Sequence, residues 1–227
     1  MQSIIYTPER EVEDEIKIIS QLLDAGADHL YIRKPLLDDF SLVDYMEQFD
    51  AKYYPKIITT SLIITKEFDL GGYHFTRDII PKNKDYNEMI LKWLKDKNKI
   101  SSVSAHALEE VQYYAGKFDH VIVSPVFKSI SKEAHEYDWN YEDLRGMICG
   151  IQNNLKFKIS SAESSGFQNS KFFAVGGIDI TKIPEIKAMH FDGIGLLGAL
   201  WMDPQDAVTK FDAILKQAQA LRLNTHD

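Results

Sequence analysis

Along the chain, short runs of branched and aromatic apolar residues alternate with longer stretches in which apolar positions recur every three or four residues. The first kind suits strands and the second suits helices with one buried face. "SIIYT" opens as a strand; Val12, Ile16, Ile19 and Leu23 then follow at helical spacing, with Gly26 placed to stop the helix. "HLYIR", "KIITT" and "GYHF" read as the next strands, with "SLVDYMEQF" and "LIITKEFDL" as the helices between them. The rhythm continues through "NEMILKWLKDK", "KISSVS", "ALEEVQYYA", "HVIVSPVF", "YEDLRGMICGI", "FFAVGG", "IPEIKAM" and "GIGLLG" to a final helix. For that helix Asp203 is the expected N-cap, Pro204 the first helical residue, and Val208, Phe211, Leu215 and Ala218 the buried face.

Eight strand–helix pairs in 227 residues predict an α/β fold, a single-domain (β/α)8 TIM barrel over 1–227. An open doubly wound sheet is the alternative, but that fold usually announces a glycine-rich turn after its first strand, and "YTPER" has none. One serine-rich stretch, "KFKISSAESSGFQNSK" over 156–171, breaks the rhythm. It is expected to be an exposed polar loop before the seventh strand, at the barrel's bottom face and away from chemistry.

Composition narrows the setting. A 44% hydrophobic content allows a sizeable core, and the lone Cys149 cannot form an internal disulfide, which fits a reducing, cytoplasmic compartment. With 26 basic against 34 acidic residues, the formal charge of -8 excludes nucleic-acid backbone as a general partner. The start "MQSIIYTPER" lacks a basic leader with an apolar core, and the longest apolar run, "GIGLLGALWM", is too short to span a membrane. Oligomeric state is not encoded in any of these features.

Barrel chemistry sits where strands end, so the residues delivered there matter most. They are Tyr31, Arg33 and Lys34 after the second strand, Thr59 and Thr60 after the third, and His74 and Asp78 around the fourth. Ser104 and His106 close the fifth, Ser129, Ser131 and Lys132 follow the sixth, and Gly176, Gly177 and Gly198 follow the last two. Glycine loops at the final two strands commonly cradle phosphate with backbone N–H groups, and Gly198 opens a segment short enough to be the extra helix of such a site. Arg33 and Lys132 with the serine hydroxyls suit a second phosphate or a pyrophosphate. His74 is expected to be a satisfied core histidine and His135 a solvent-exposed one, while His106 serves either as a base or as a partner for backbone at a helix start. The pairs Asp38-Asp39 and Glu109-Glu110 read as first-turn helix charges without chemistry.

Taken together, "AGADHLYIRKP", "GGYHFTRD", "SSVSAHALEE", "VIVSPVFKSISK" and "FFAVGGIDITKI…FDGIGLLGAL" resemble the thiamine phosphate synthases and their relatives, the thiazole tautomerases, in order and spacing. The resemblance covers nearly the whole chain and implies a transferase of thiamine biosynthesis. Its substrates would be a small phosphorylated pyrimidine and a phosphorylated thiazole: hydroxymethylpyrimidine diphosphate and thiazole phosphate. By that similarity Arg33, Ser104, Ser129, Ser131 and Lys132 hold and ionise the diphosphate, with Tyr31, Lys34 and His106 lining the substrate site. Gly176, Gly177 and Gly198 take the thiazole phosphate. Mg²⁺ would be bound weakly, with the substrate's pyrophosphate and Asp78, because Thr59 and Thr60 stand where the family carries Asn-Asp. Lys34 would partly substitute for the family's lysine. Ser124-Pro125 follows the synthase branch, where the tautomerases carry a histidine. A tautomerase-like isomerase, or a non-catalytic binder of thiamine precursors, are the alternatives.

Overall fold

Gln2–Tyr6 (β1), His29–Ile32 (β2), Ile57–Thr59 (β3), Gly72–Phe75 (β4), Ile100–Ala105 (β5), His120–Val123 (β6), Lys171–Val175 (β7) and Gly193–Leu196 (β8) pair in chain order in the computed structural model. All neighbours are parallel, and β1 pairs with β8, so the sheet closes into a (β/α)8 barrel. The structure describes residues 1–77, 84–127, 139–160 and 169–223, with 154–160 and 221–223 as backbone alone.

Alternation along each strand separates two apolar shells. Leu30, Ile57, Phe75, Val103, Val121 and Phe172 point outward and are buried against the helices, while Ile4, Tyr31, Ile58, Ile122 and Phe173 fill the inside of the barrel. The covering helices include Glu15–Asp24 (α1), Asp39–Met46 (α2), Leu62–Glu67 (α3), Lys84–Asp96 (α4), Leu108–Tyr114 (α5) and Tyr141–Ser160 (α6). Ile183–Ala188 (α7), the short Gly198–Trp201 (α8) and Ala207–Leu223 (α9) complete the described set. On α1, Ile19 and Leu23 are buried as the periodicity requires, and Gly26 ends the helix at a φ of 107°. On α9, Phe211 and Ala218 are buried against the barrel.

Several boundaries differ from the sequence expectation. Helix α1 begins at Glu15, after Asp14 adopts a left-handed conformation, so Val12 lies in the preceding loop and not on the helical face. Asp203 makes no side-chain cap; its carboxylate sits 3.5 Å from Lys210 Nζ, and Pro204 opens a 3-10 turn before α9. The stretch 156–171 is not one loop. Helix α6 runs to Ser160 and β7 starts at Lys171, so each end of the stretch belongs to a regular element whose backbone hydrogen bonds are made within the helix or the sheet. Residues 161–168 lie outside those described. Strand β6 stops at Val123; Val126 and Phe127 donate their N–H groups to Val175 and Gly176 carbonyls, tying the following segment to the end of β7.

Candidate active site

The carboxyl ends of the strands enclose a cavity of about 270 Å³, whose lining includes Arg33, Thr60, His74, Arg77, Ser104 and His106. Four different strands deliver these side chains. Arg33 arrives there by alternation: Tyr31 points into the barrel, Ile32 outward, and Arg33 back over the mouth. Its backbone N–H donates to the buried Thr7 Oγ1 at 2.8 Å, pinning the end of β2 to that of β1. Its guanidinium is 3.5 Å from the Glu9 carboxylate, and both side chains are substantially exposed. An exposed pair of this kind is weak, so the guanidinium can turn to a stronger anion.

Lys34 corrects the sequence expectation. The same alternation sends it outward, where Nζ meets Glu15 Oε2 at 2.8 Å with both side chains under a tenth exposed. Tyr45 donates its hydroxyl to the other Glu15 oxygen at 2.5 Å. Lys34 is thus committed between α1 and α2 and does not share the mouth with Arg33.

Inside the mouth, Ser104 Oγ lies 3.2 Å from His74 Nε2, and His74 Nδ1 lies 2.9 Å from Ser102 Oγ. Burial, with the Arg33 guanidinium and then His106 nearby, pulls His74 down to about 4, so the ring is neutral at ordinary pH. His74 is therefore the satisfied interior histidine that its position in "GYHF" suggested. His106 Nδ1–H donates to the Ser124 carbonyl at 2.5 Å, which puts the lone pair of a neutral ring on Nε2. Its backbone N–H donates to Glu110 Oε2 at 2.7 Å, and Glu110 Oε1 stands 3.4 Å from Arg77. Two mouth residues thus escaped the sequence reading. Arg77 is a second permanent cation one residue before the acid considered for metal, and Glu110, read only as a helix charge, orients both Arg77 and His106.

The glycines divide into two kinds. Gly176 and Gly177 follow β7 with φ of 97° and 63°. A Cβ on Gly176 would come within 2.6 Å of Pro125 Cβ, so this glycine is required by the fold itself. Gly198 opens α8 and has nothing within 4 Å of where its Cβ would be, leaving room for a bound group. Helix α8 is held over the barrel by Trp201, whose indole N–H donates to the Tyr6 carbonyl at 2.7 Å. The backbone thus gathers the three glycines on the β7–β8 side, two to three strands around the closed barrel from both Arg33 at the end of β2 and Ser104 on β5. Ser129, Ser131, Lys132, Asp78 and His135 lie outside the described residues.

Magnesium needs hard oxygen ligands in near-octahedral array. Among the described residues no group of three or more His, Cys, Asp or Glu side chains could hold a metal ion. Strand β3 offers only hydroxyls, with Thr59 buried and accepting from Ser61 N–H. The described mouth therefore does not by itself form a magnesium site. A larger groove of about 760 Å³ lies elsewhere, between α4 and α5, lined by Lys95, Lys99, Lys117 and Tyr113. It abuts Ser101 and Asp119 at the amino ends of β5 and β6, the face where barrels carry stability and not catalysis. Two of its lysines are engaged within the protein, Lys99 with Asp69 at 2.7 Å and Lys117 over the Tyr113 ring. Among the described residues, no helix is long and apolar enough to cross a membrane.

The comparisons agree with this geometry. Residues 3–200 match the TMP-TENI family model, described as thiamine monophosphate synthase. The thiamine phosphate pyrophosphorylase of Bacteroides thetaiotaomicron is similar over 100% of both chains, at 25% identity and a TM-score of 0.72. That of Pyrococcus furiosus covers 97% of this chain and 96% of its own at 15% identity and a TM-score of 0.72, a likeness of fold. The phosphoribosyl anthranilate isomerase of Thermus thermophilus shares the barrel at 11% identity, covering 98% of this chain and 100% of its own, with a TM-score of 0.58. No curated protein sequence matches the chain. A family model that runs from β1 into α8, and so spans every strand end that builds the mouth, makes this chain a member of the thiamine monophosphate synthase family.

Proposed function

We propose that this protein joins hydroxymethylpyrimidine diphosphate to thiazole phosphate, giving thiamine phosphate and pyrophosphate. The observation that carries the reading is the convergence of Arg33, Arg77 and Ser104 on one cavity at the strand ends, in a chain of this family. In the reaction the bond between the pyrimidine methylene carbon and the diphosphate oxygen breaks. Pyrophosphate leaves with the electron pair, and the thiazole nitrogen supplies the pair that forms the new C–N bond. Negative charge grows on the departing oxygens, so preorganised cations and hydroxyl donors lower the barrier. Arg33, Arg77 and Ser104 fill that role together with Ser129, Ser131 and Lys132. Gly176, Gly177 and Gly198 take the thiazole phosphate, and the nitrogen needs only to be held near the carbon.

Mg²⁺ belongs to this proposal as an ion carried chiefly by the diphosphate's own oxygens, with Asp78 as its protein carboxylate; bound there, it would neutralise part of the leaving group's charge. Incubating the purified protein with both substrates and millimolar Mg²⁺ should yield thiamine phosphate. Lys132→Ala should slow turnover by an amount on the order of 3 kcal/mol in the barrier while leaving thiazole phosphate binding nearly unchanged. Absence of product at every Mg²⁺ concentration, with thiazole phosphate still bound, would replace this reading by proton transfer on a thiazole phosphate. The anchored Nδ1–H of His106, which leaves Nε2 as the basic atom, favours that second role.

A further inference from the structure

Barrel interiors are usually packed with branched apolar side chains. Here the interior also carries a continuous polar chain. Starting below the mouth, Ser104 Oγ is 3.2 Å from His74 Nε2, and His74 Nδ1 is 2.9 Å from Ser102 Oγ. The Tyr31 hydroxyl is then 2.8 Å from Ser102 Oγ and 3.0 Å from His120 Nδ1. The chain stops there: His29 meets His120 edge-on at 5.0 Å between ring centroids, and its buried Nδ1 makes no hydrogen bond.

Each hydroxyl has one proton to give and each neutral imidazole one N–H, so a fully hydrogen-bonded chain runs wholly inward, wholly outward, or in two runs that meet on the Ser102 or Tyr31 oxygen with Ser104 still donating inward. In the inward direction Ser104 donates to His74 Nε2, His74 Nδ1–H donates to Ser102, Ser102 to Tyr31, and Tyr31 to His120. In the outward direction His120 Nδ1–H donates to Tyr31, Tyr31 to Ser102, Ser102 to His74 Nδ1, and His74 Nε2–H to Ser104. Only the outward direction leaves the Ser104 proton pointing at the mouth. An anion beside Ser104 accepts that proton's hydrogen bond and repels the inward arrangement, so it selects the outward one.

We propose that His120, Tyr31, Ser102 and His74 are positioning residues, a directional hydrogen-bond relay that presents the Ser104 hydroxyl as a donor to an anionic phosphate oxygen of the substrate. The inference rests on the reading of the mouth as a diphosphate site. Burial keeps His74 near 4 and His120 near 2, and raises the Tyr31 hydroxyl well above its ordinary value, so every member stays neutral and the chain reverses without carrying net charge. Serine alone at the mouth would rotate freely between donating and accepting. Once the anion has selected the outward direction, Nε2–H of His74 occupies the inner side of the Ser104 oxygen, so the hydroxyl proton stays aimed at the anion as charge grows there, which is what transition-state stabilisation needs.

The test is imidazole ¹⁵N NMR on the full-length protein with inorganic pyrophosphate as the probe, His74 signals being assigned by their loss in His74→Gln. With pyrophosphate, His74 should show a protonated Nε2 and a bare Nδ1. Ser102→Ala should erase that preference and weaken pyrophosphate binding about tenfold, and Ser102→Thr, which keeps the hydroxyl, should restore both. Tyr31→Phe breaks the same chain one step lower and should also blur the tautomer, which covers the case in which Ser102→Ala does not fold. A protonated Nδ1 in the pyrophosphate complex, a tautomer unchanged in both relay variants, or failure of pyrophosphate to bind would overturn the relay. Thiamine phosphate formation with an unmoved tautomer would remove the relay and keep the synthase; a tautomer response without product would do the reverse.

Discussion

Arg33 and Lys34 are adjacent in the chain and opposite in use. One overhangs the mouth beside an exposed acid; the other is sealed with Glu15 at 2.8 Å between two helices. Removing one member of a buried pair leaves the other charge without compensation, so Lys34→Ala should cost about 3–5 kcal/mol in urea unfolding and leave turnover per folded molecule unchanged. A large loss of turnover at undiminished stability would return Lys34 to the active site. The glycines make a similar contrast. Gly198→Ala meets open space in the protein and should leave the melting temperature intact while weakening thiazole phosphate binding at least tenfold, read by calorimetric titration. Gly176→Ala combines a clash with Pro125 and a φ of 97°, and should lower the melting temperature whether or not ligand is present.

At the scale of elements, the barrel floor repeats one device. Asp28, Asp119 and Asp192 each immediately precede or lie just ahead of a strand, and each accepts the backbone N–H of a residue near the start of the preceding strand. The acceptors meet Ser3 N, Ser101 N and Phe172 N, each at 2.8 Å. A carboxylate here replaces the missing partner of a strand end and locks the offset between neighbouring strands. Asp119→Ala leaves the Ser101 N–H, and the Ser101 hydroxyl at 2.7 Å, without that acceptor. Loss of about 1–3 kcal/mol of stability is expected in denaturant unfolding, with KM unaltered because the floor is remote from the mouth. The short apolar runs made β1 to β8 readable, and "GYHF" is strand β4 to the residue. Ends governed by local backbone geometry were less readable, as the left-handed Asp14 and the uncapped Asp203 illustrate.

Across the whole molecule, closing the barrel buries several histidines in neutral form. His29 and His74 fall to about 4 and His120 to about 2, mainly through burial; His29 is flanked by Asp28, Lys171 and Lys56, His74 by Arg33 and His106, and His120 by His29, Lys171 and His74. The unfolded chain binds protons on these rings near 6.5 while the folded protein refuses them. Their contribution is therefore complete above that pH and is lost as pH falls through the interval toward 4, with His120 continuing below. For His74 alone the loss is about 3 kcal/mol. Unfolding free energies measured between pH 7 and 4 should drop steeply, and His74→Gln should flatten the slope; an unchanged slope would mean that His74 is protonated in the folded state.

The rhythm of strands and helices, the strand ends that carry Arg33, Ser104, His106 and the glycines, and the family motifs were all legible in the chain, because each depends on spacing within a few residues. Closure decided the rest. The Tyr31 bonds to Ser102 and His120 join positions 71 and 89 residues apart, and only the parallel register of neighbouring strands brings them into one interior. Likewise Glu110 became the holder of Arg77, 33 residues away, and Lys34 turned to Glu15, because strand alternation fixes side but packing between distant helices fixes partner.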